Sequence, residues 1–160
     1  MKYRATLFAV LMVVTTFAVP THLSALGSRE GVVGDIETDE VRRLEIKAHG
    51  FDVVVRAVAG DKTRLKLSDA SDEYELHHAL RDGVLEVWTV GPSMSFELSP
   101  EGSVQVEVPT EISIAVRTAG GAVAVTGVAG SVAVHTGSGR VELTDLVTAI
   151  DIETTSGTIV

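Results

Sequence analysis

The chain has 160 residues, 45% of them hydrophobic and 4% aromatic, with 15 glycines, a balance that suits one domain of thin layers and many turns. Its formal charge is −9 and no run of Lys or Arg is dense enough to follow a phosphate backbone, which excludes nucleic acid as an expected partner. The absence of cysteine excludes disulfides, thiolate metal sites and acyl-thioether anchors.

In chain order, Lys2 and Arg4 precede an apolar run over residues 5–19, Pro20 interrupts any helix, and Ser24, Ala25 and Gly27 are small. This is the three-part layout of a secretory signal peptide. The apolar run is 15 residues long, short of the roughly 20 that a spanning helix needs. Residues 1–25 are therefore expected to be a signal peptide, cleaved after Ala25 or Gly27. Cleavage after Ala25 removes Lys2 and Arg4 and no acid, taking the charge from −9 to −11. The expected product is exported, periplasmic or extracellular at the cell surface, with no stable membrane span after signal cleavage.

From residue 31 the pattern is β throughout. Alternating stretches fall at residues 44–48, 52–56, 63–67, 84–90, 104–108 and 112–118, each bounded by Gly, Pro, Asp or Ser. Residues 71–80 offer a helix N-cap, yet the turn signal Arg81, Asp82 and Gly83 that follows suits a hairpin, and a strand-turn-strand unit is expected there.

The last third repeats every eighteen residues. Ile114, Val116 and Thr118 are followed in register by Val132, Val134 and Thr136 and then by Ile150, Ile152 and Thr154, while Gly121, Gly139 and Gly157 keep step. A fixed period of this length, built from short β-branched alternations and Gly or Ser, predicts an all-β, single-stranded β-solenoid (β-helix-like) with about 18-residue coils, preceded by irregular β coils and hairpins. The expected organisation is a signal peptide at 1–25, an irregular lead-in at 26–110 and regular repeats at 111–160 that end mid-coil. A faded copy also starts at Leu44, where Leu44, Ile46, Ala48, Val53, Val55 and Val58 take the same places as Val132, Val134, Thr136, Val141, Leu143 and Leu146. Its register is then lost, because the next strand centres on Leu65 and Leu67.

One coil buries too few side chains to offset the entropy of ordering eighteen backbones, so coils must stack, each apolar layer sealed between neighbours. Gly121, Gly139 and Gly157 should mark one corner of every coil, where positive φ or close approach between turns excludes a Cβ.

The run Val134, Thr136, Ser138, Gly139, Val141, echoed by Ile152, Thr154, Ser156, Gly157, Ile159, resembles the Thr-x-Ser-Gly-x-Val/Ile repeat of the bacterial putative-adhesin family of unknown function. The resemblance covers about residues 35–160 and implies an exported, β-helix-like protein with no established activity. The family supplies no catalytic residues to carry over.

Enzymatic β-helices need several carboxylates, or a carboxylate with Lys or Arg, converging on one outward face. The outward columns of the repeat are Arg117, His135 and Glu153; Ala115, Ala133 and Asp151; and Ala122, Arg140 and Thr158. None gathers two acids at neighbouring levels, and the first reads as a solvated surface of opposite charges. His77 and His78 are adjacent, so in a strand they point to opposite faces and do not chelate one ion together. Asp69, Asp72 and Glu73 form an acidic turn without the ligand alternation of a calcium loop, and Gly137, Ser138 and Gly139 lack the Gly-Lys-Ser/Thr ending of a phosphate loop. Trp88 reads as core or edge cover rather than a sugar-stacking platform.

No catalytic, cofactor-binding or metal residue is therefore assigned, and no cofactor. The expected function is that of a non-catalytic, adhesin-like or envelope scaffold protein presenting a solenoid surface to an envelope protein or glycan. The alternative is a carbohydrate-active β-helix enzyme with an unrecognised acidic site. The third coil begins at Ile150 and lacks a polar cap at Val160, so the sequence is expected either to be a shortened version of a longer solenoid or to self-associate through an open C-terminal β edge.

Overall fold

The computed structural model describes residues 31–37, 41–92 and 101–160. The expected signal peptide, residues 1–25, lies outside the described residues. In chain order the strands are β1 (Gly31–Glu37), β2 (Arg43–Ala48), β3 (Asp52–Val58), β4 (Lys62–Ser68), β5 (Glu75–Arg81), β6 (Val84–Val90), β7 (Ser103–Pro109), β8 (Ser113–Thr118), β9 (Val123–Thr126), β10 (Val132–Thr144) and β11 (Ile150–Ile159). They form one mixed sheet, and no helix occurs among the described residues. The all-β expectation therefore holds.

The sheet has two ladders. One runs β5, β6, β2, β8 and the first half of β10; the other runs β1, β4, β7, β3, β9 and the second half of β10. Residues 132–136 pair with β8 and 141–144 with β9, so β10 belongs to both, and β11 pairs along both halves of β10. The eighteen-residue period is the pairing register itself: Ile114 lies opposite Val132, which lies opposite Ile150, all parallel. Alternation then decides burial. Leu44, Ile46, Val53, Val55, Ile114, Val116, Val123, Val125, Val132, Val134 and Val141 share one buried core, while the residues alternating with them, except the buried Ala115, are at least partly exposed.

Stacking order differs from chain order. Leu44 pairs with Ile114 and Val53 with Val123, each seventy residues on, so the faded copy is in register with the repeat. On its other side β2 pairs with β6 and β3 with β7, which places the later β6–β7 turn of chain outside the earlier one. Leu85 is forty-one residues from Leu44 but Val104 is fifty-one from Val53. The corner between β6 and β7 thus carries ten extra residues, and that insertion hides the period from the sequence. The expected loss of register at Leu65 also has a physical origin, because β4 leaves the parallel stack and pairs antiparallel with β7. Antiparallel β5 covers β6 in the same way, through a two-residue turn in which Asp82 (φ 51°) and Gly83 (φ 79°) supply the left-handed pair that a tight hairpin requires. The strand-turn-strand expectation for residues 71–80 is met by this hairpin.

The corners explain the Thr-x-Ser-Gly motif. Thr136 is buried, and its hydroxyl donates to the Ser138 carbonyl at 2.6 Å; Thr118 donates likewise to the Gly120 carbonyl. Each threonine so gives a nearby backbone carbonyl a local side-chain partner. Gly139 has φ 113°, and a Cβ there would collide with the carbonyl of Gly121 directly beneath it.

Candidate functional site

Outward residues of the first ladder line up strand by strand. Along one row His77 lies opposite Trp88, Trp88 opposite Lys47, Lys47 opposite Arg117, Arg117 opposite His135, and His135 opposite Glu153. The expected column of Arg117, His135 and Glu153 is present and is the right-hand half of this longer row. Neighbouring members are set about 4.8 Å apart by the strand spacing. Along its centre runs an open groove of about 520 Å³, bordered by Lys47, His49, Arg117, His135, Gly137 and Glu153. His135 Nδ1 lies 2.8 Å from Glu153 Oε2, and Lys47 Nζ donates to Glu86 Oε1 at 3.2 Å.

The adjacent row contains Glu86, Glu45, Ala115, Ala133 and Asp151. Glu45 and Glu86 are directly opposite each other, two acids at neighbouring levels that reading the repeat alone does not find. Glu45 is engaged by Arg43 Nε at 2.9 Å, as Glu86 is by Lys47. The signal for this pair lies in the match of Leu44, Glu45 and Ile46 to Leu85, Glu86 and Val87, visible only once β6 is set beside β2. Arg140, of the third expected column, lies opposite Thr158 and pairs with Glu142 at 3.4 Å.

Trp88 is not a core residue: it stands half-buried on the outer face, with the His77 ring stacked on it at 5.8 Å and 19°. His77 Nε2 also lies 3.1 Å from Glu75 Oε2. His78 sits opposite Val87 with its Nδ1 buried and unpartnered among the described residues. Its pKa is lowered from the ordinary value of 6.5, by burial first and by the neighbouring His77 second. The native state so takes up its proton later than the unfolded chain does. The cost is absent above pH 6.5, begins as the pH falls through that value, and levels off once the native histidine is also protonated. His78→Phe is expected to flatten the fall in melting temperature between roughly pH 7.5 and 5.5; an identical fall in both proteins would refute the assignment. Among the described residues no three His, Asp or Glu side chains converge as metal ligands would, and Gly137, Ser138 and Gly139 form a bend within β10 rather than a loop before a helix.

Fold and row together define an all-β chain whose mixed sheet carries a solvent-facing groove across its strands. No protein-family model matches the chain, and no curated protein matches its sequence. Among solved structures, a putative cell adhesion protein from Clostridium sporogenes is similar, at 9% identity over 82% of this chain and 97% of that chain, with a TM-score of 0.46. A likeness this distant carries no argument about residues or function. No helix among the described residues is long and apolar enough to cross a membrane, a statement that does not bear on β-barrels.

Proposed function

We propose that the chain is an exported, non-catalytic, adhesin-like or scaffold protein whose stacked β-solenoid presents a rigid outer face to a protein or glycan of the cell envelope. The carrying observation is the row from Lys47 to Glu153, which holds cationic and acidic groups at fixed spacing along an open groove, with Trp88 next in the row beyond it. Side chains on paired strands are held in place by the ladder beneath them, and such preorganisation favours recognition over a wide surface. Export rests on the layout of residues 1–25 and membership of the adhesin-like group on the repeat motif. The enzyme alternative rests on Glu45 beside Glu86, but a cation engages each, which suits a solvated surface better than an acid–base pair.

The test is to pass the chain from residue 26 onward over immobilised neutral and acidic polysaccharides and envelope proteins, while assaying release of reducing ends or unsaturated sugars. Retention without turnover is the expected result. Turnover that Glu45→Gln or Glu86→Gln abolishes would move the chain to the carbohydrate-active enzymes.

The proposed partners include a second copy of the chain. Among the described residues β11 pairs only with β10, and Val147, Ile150, Ile159 and Val160 are exposed beside that edge. Identical edges pair isologously, and exposed apolar strands invite such addition. Sedimentation at rising concentration should show a dimer that Ile150→Lys with Ile159→Lys weakens by about tenfold or more, a loss of about 1.4 kcal/mol. A monomer at all concentrations would refute it.

A further inference from the structure

We infer that the groove centred on Arg117 binds a linear acidic polysaccharide, with Arg117 taking a carboxylate of the sugar chain. This rests on the reading of the outer face as a binding surface. Arg117 is exposed on β8 and lies directly opposite Lys47 on one side and His135 on the other. Like charges directly opposite across a ladder are destabilising, and a chain with 22 acidic residues against 13 basic ones has acids in excess to place there. It does not do so. Lys47 is held by Glu86 and His135 by Glu153, while among the described residues no ion pair engages Arg117. The central cation of the row is thus left with its guanidinium fork uncommitted, in a groove, between two partners that are already fixed.

The surroundings select the ligand. A guanidinium takes a carboxylate through two parallel hydrogen bonds. Beside the row, at the bend of the strands, the groove is bordered by Ala119, Gly137 and Thr155, which are small or hydroxylated and leave room for a chain lying across the strands. A carboxylate for the guanidinium fork and hydroxyl groups for the small, hydroxylated border together describe a uronic-acid polymer.

Titration calorimetry of the chain from residue 26 onward with oligomers of galacturonate, alginate and hyaluronan, and with neutral oligogalactan of matched length, tests this. At least one acidic oligomer is expected to bind, to weaken with added salt, and to exceed the neutral oligomer by about tenfold or more. Arg117→Ala should abolish that margin at an unchanged melting temperature, and Arg117→Lys, which keeps the charge but loses the fork, should retain part of it. Binding unaffected by Arg117→Ala, equal binding of neutral oligomers, or equal binding of polyglutamate would overturn the inference and leave the general binding-surface reading standing. Failure of every acidic oligomer to bind a folded protein would overturn it too. Turnover of an oligomer would overturn both.

Discussion

Gly139→Val is expected to destabilise the chain by about 3 kcal/mol or more, while His135→Ala, four residues earlier on the same strand, stays within about 0.5 kcal/mol. Two costs coincide at Gly139. Its φ of 113° lies where β-branched residues are strongly strained, and the space a Cβ would occupy is filled by the Gly121 carbonyl. Neither is relieved locally, because the carbonyl beneath belongs to backbone fixed by parallel pairing on both sides of the bend. The valine must therefore lift β10 from β8 and β9, and β11, which pairs with β10 in register, moves with it. His135 has a half-exposed side chain whose one charged contact is with Glu153. Thermal unfolding followed by circular dichroism separates the two variants, and equal melting temperatures would count against stacked coils as the origin of the repeat.

What the sequence discloses and what it conceals divide along the same physical line. Where each parallel strand lies on its predecessor with no insertion, as from Ile114 to Ile159, register is written directly as spacing, and the buried positions and close-packed glycines can be counted. Where the chain leaves the stack it cannot. β4 turns back against β7, β5 folds onto β6, and strands β6 and β7 are placed outside β2 and β3, none of which alternation alone encodes. Period 2 states which face a residue takes but not which strand lies beside it.

The candidate site was half legible for that reason. Arg117, His135 and Glu153 fall on one column by counting eighteens. Lys47 and Trp88 join them only through β2 and β6, whose places in the sheet follow from the out-of-order stacking. Seen without them, Arg117 is one charge in a mixed column. With Lys47 opposite, it becomes a cation held beside another cation, an arrangement that an anionic ligand would relieve.

Phe51→Ala is expected to cost about 3–5 kcal/mol and to lower the melting temperature by about 10 °C or more. Phe51 is fully buried, the largest side chain in the core to be so. Counted from Leu44, it occupies the place that Gly121, Gly139 and Gly157 take in the later repeats. A Cβ on Gly121 would sit 2.5 Å from the Phe51 carbonyl, just as one on Gly139 would strike that of Gly121 and one on Gly157 would sit 2.6 Å from that of Gly139. The column of close backbone approaches therefore rests on Phe51. Here Gly50 takes the positive φ, at 91°, which leaves Phe51 free to carry a side chain. Its ring meets Tyr74 edge-on at 5.0 Å and 86°, tying the corner to the segment leading into β5. Removing the ring leaves a cavity where the turn between β2 and β3 meets the segment leading into β5. Tyr74→Leu should cost less, about 0.5–1.5 kcal/mol beyond the area it uncovers, and the double variant less than the sum of the two, since both lose the same contact. Strict additivity, or a loss below about 1 kcal/mol for Phe51→Ala, would mean that the corner is held by its backbone alone.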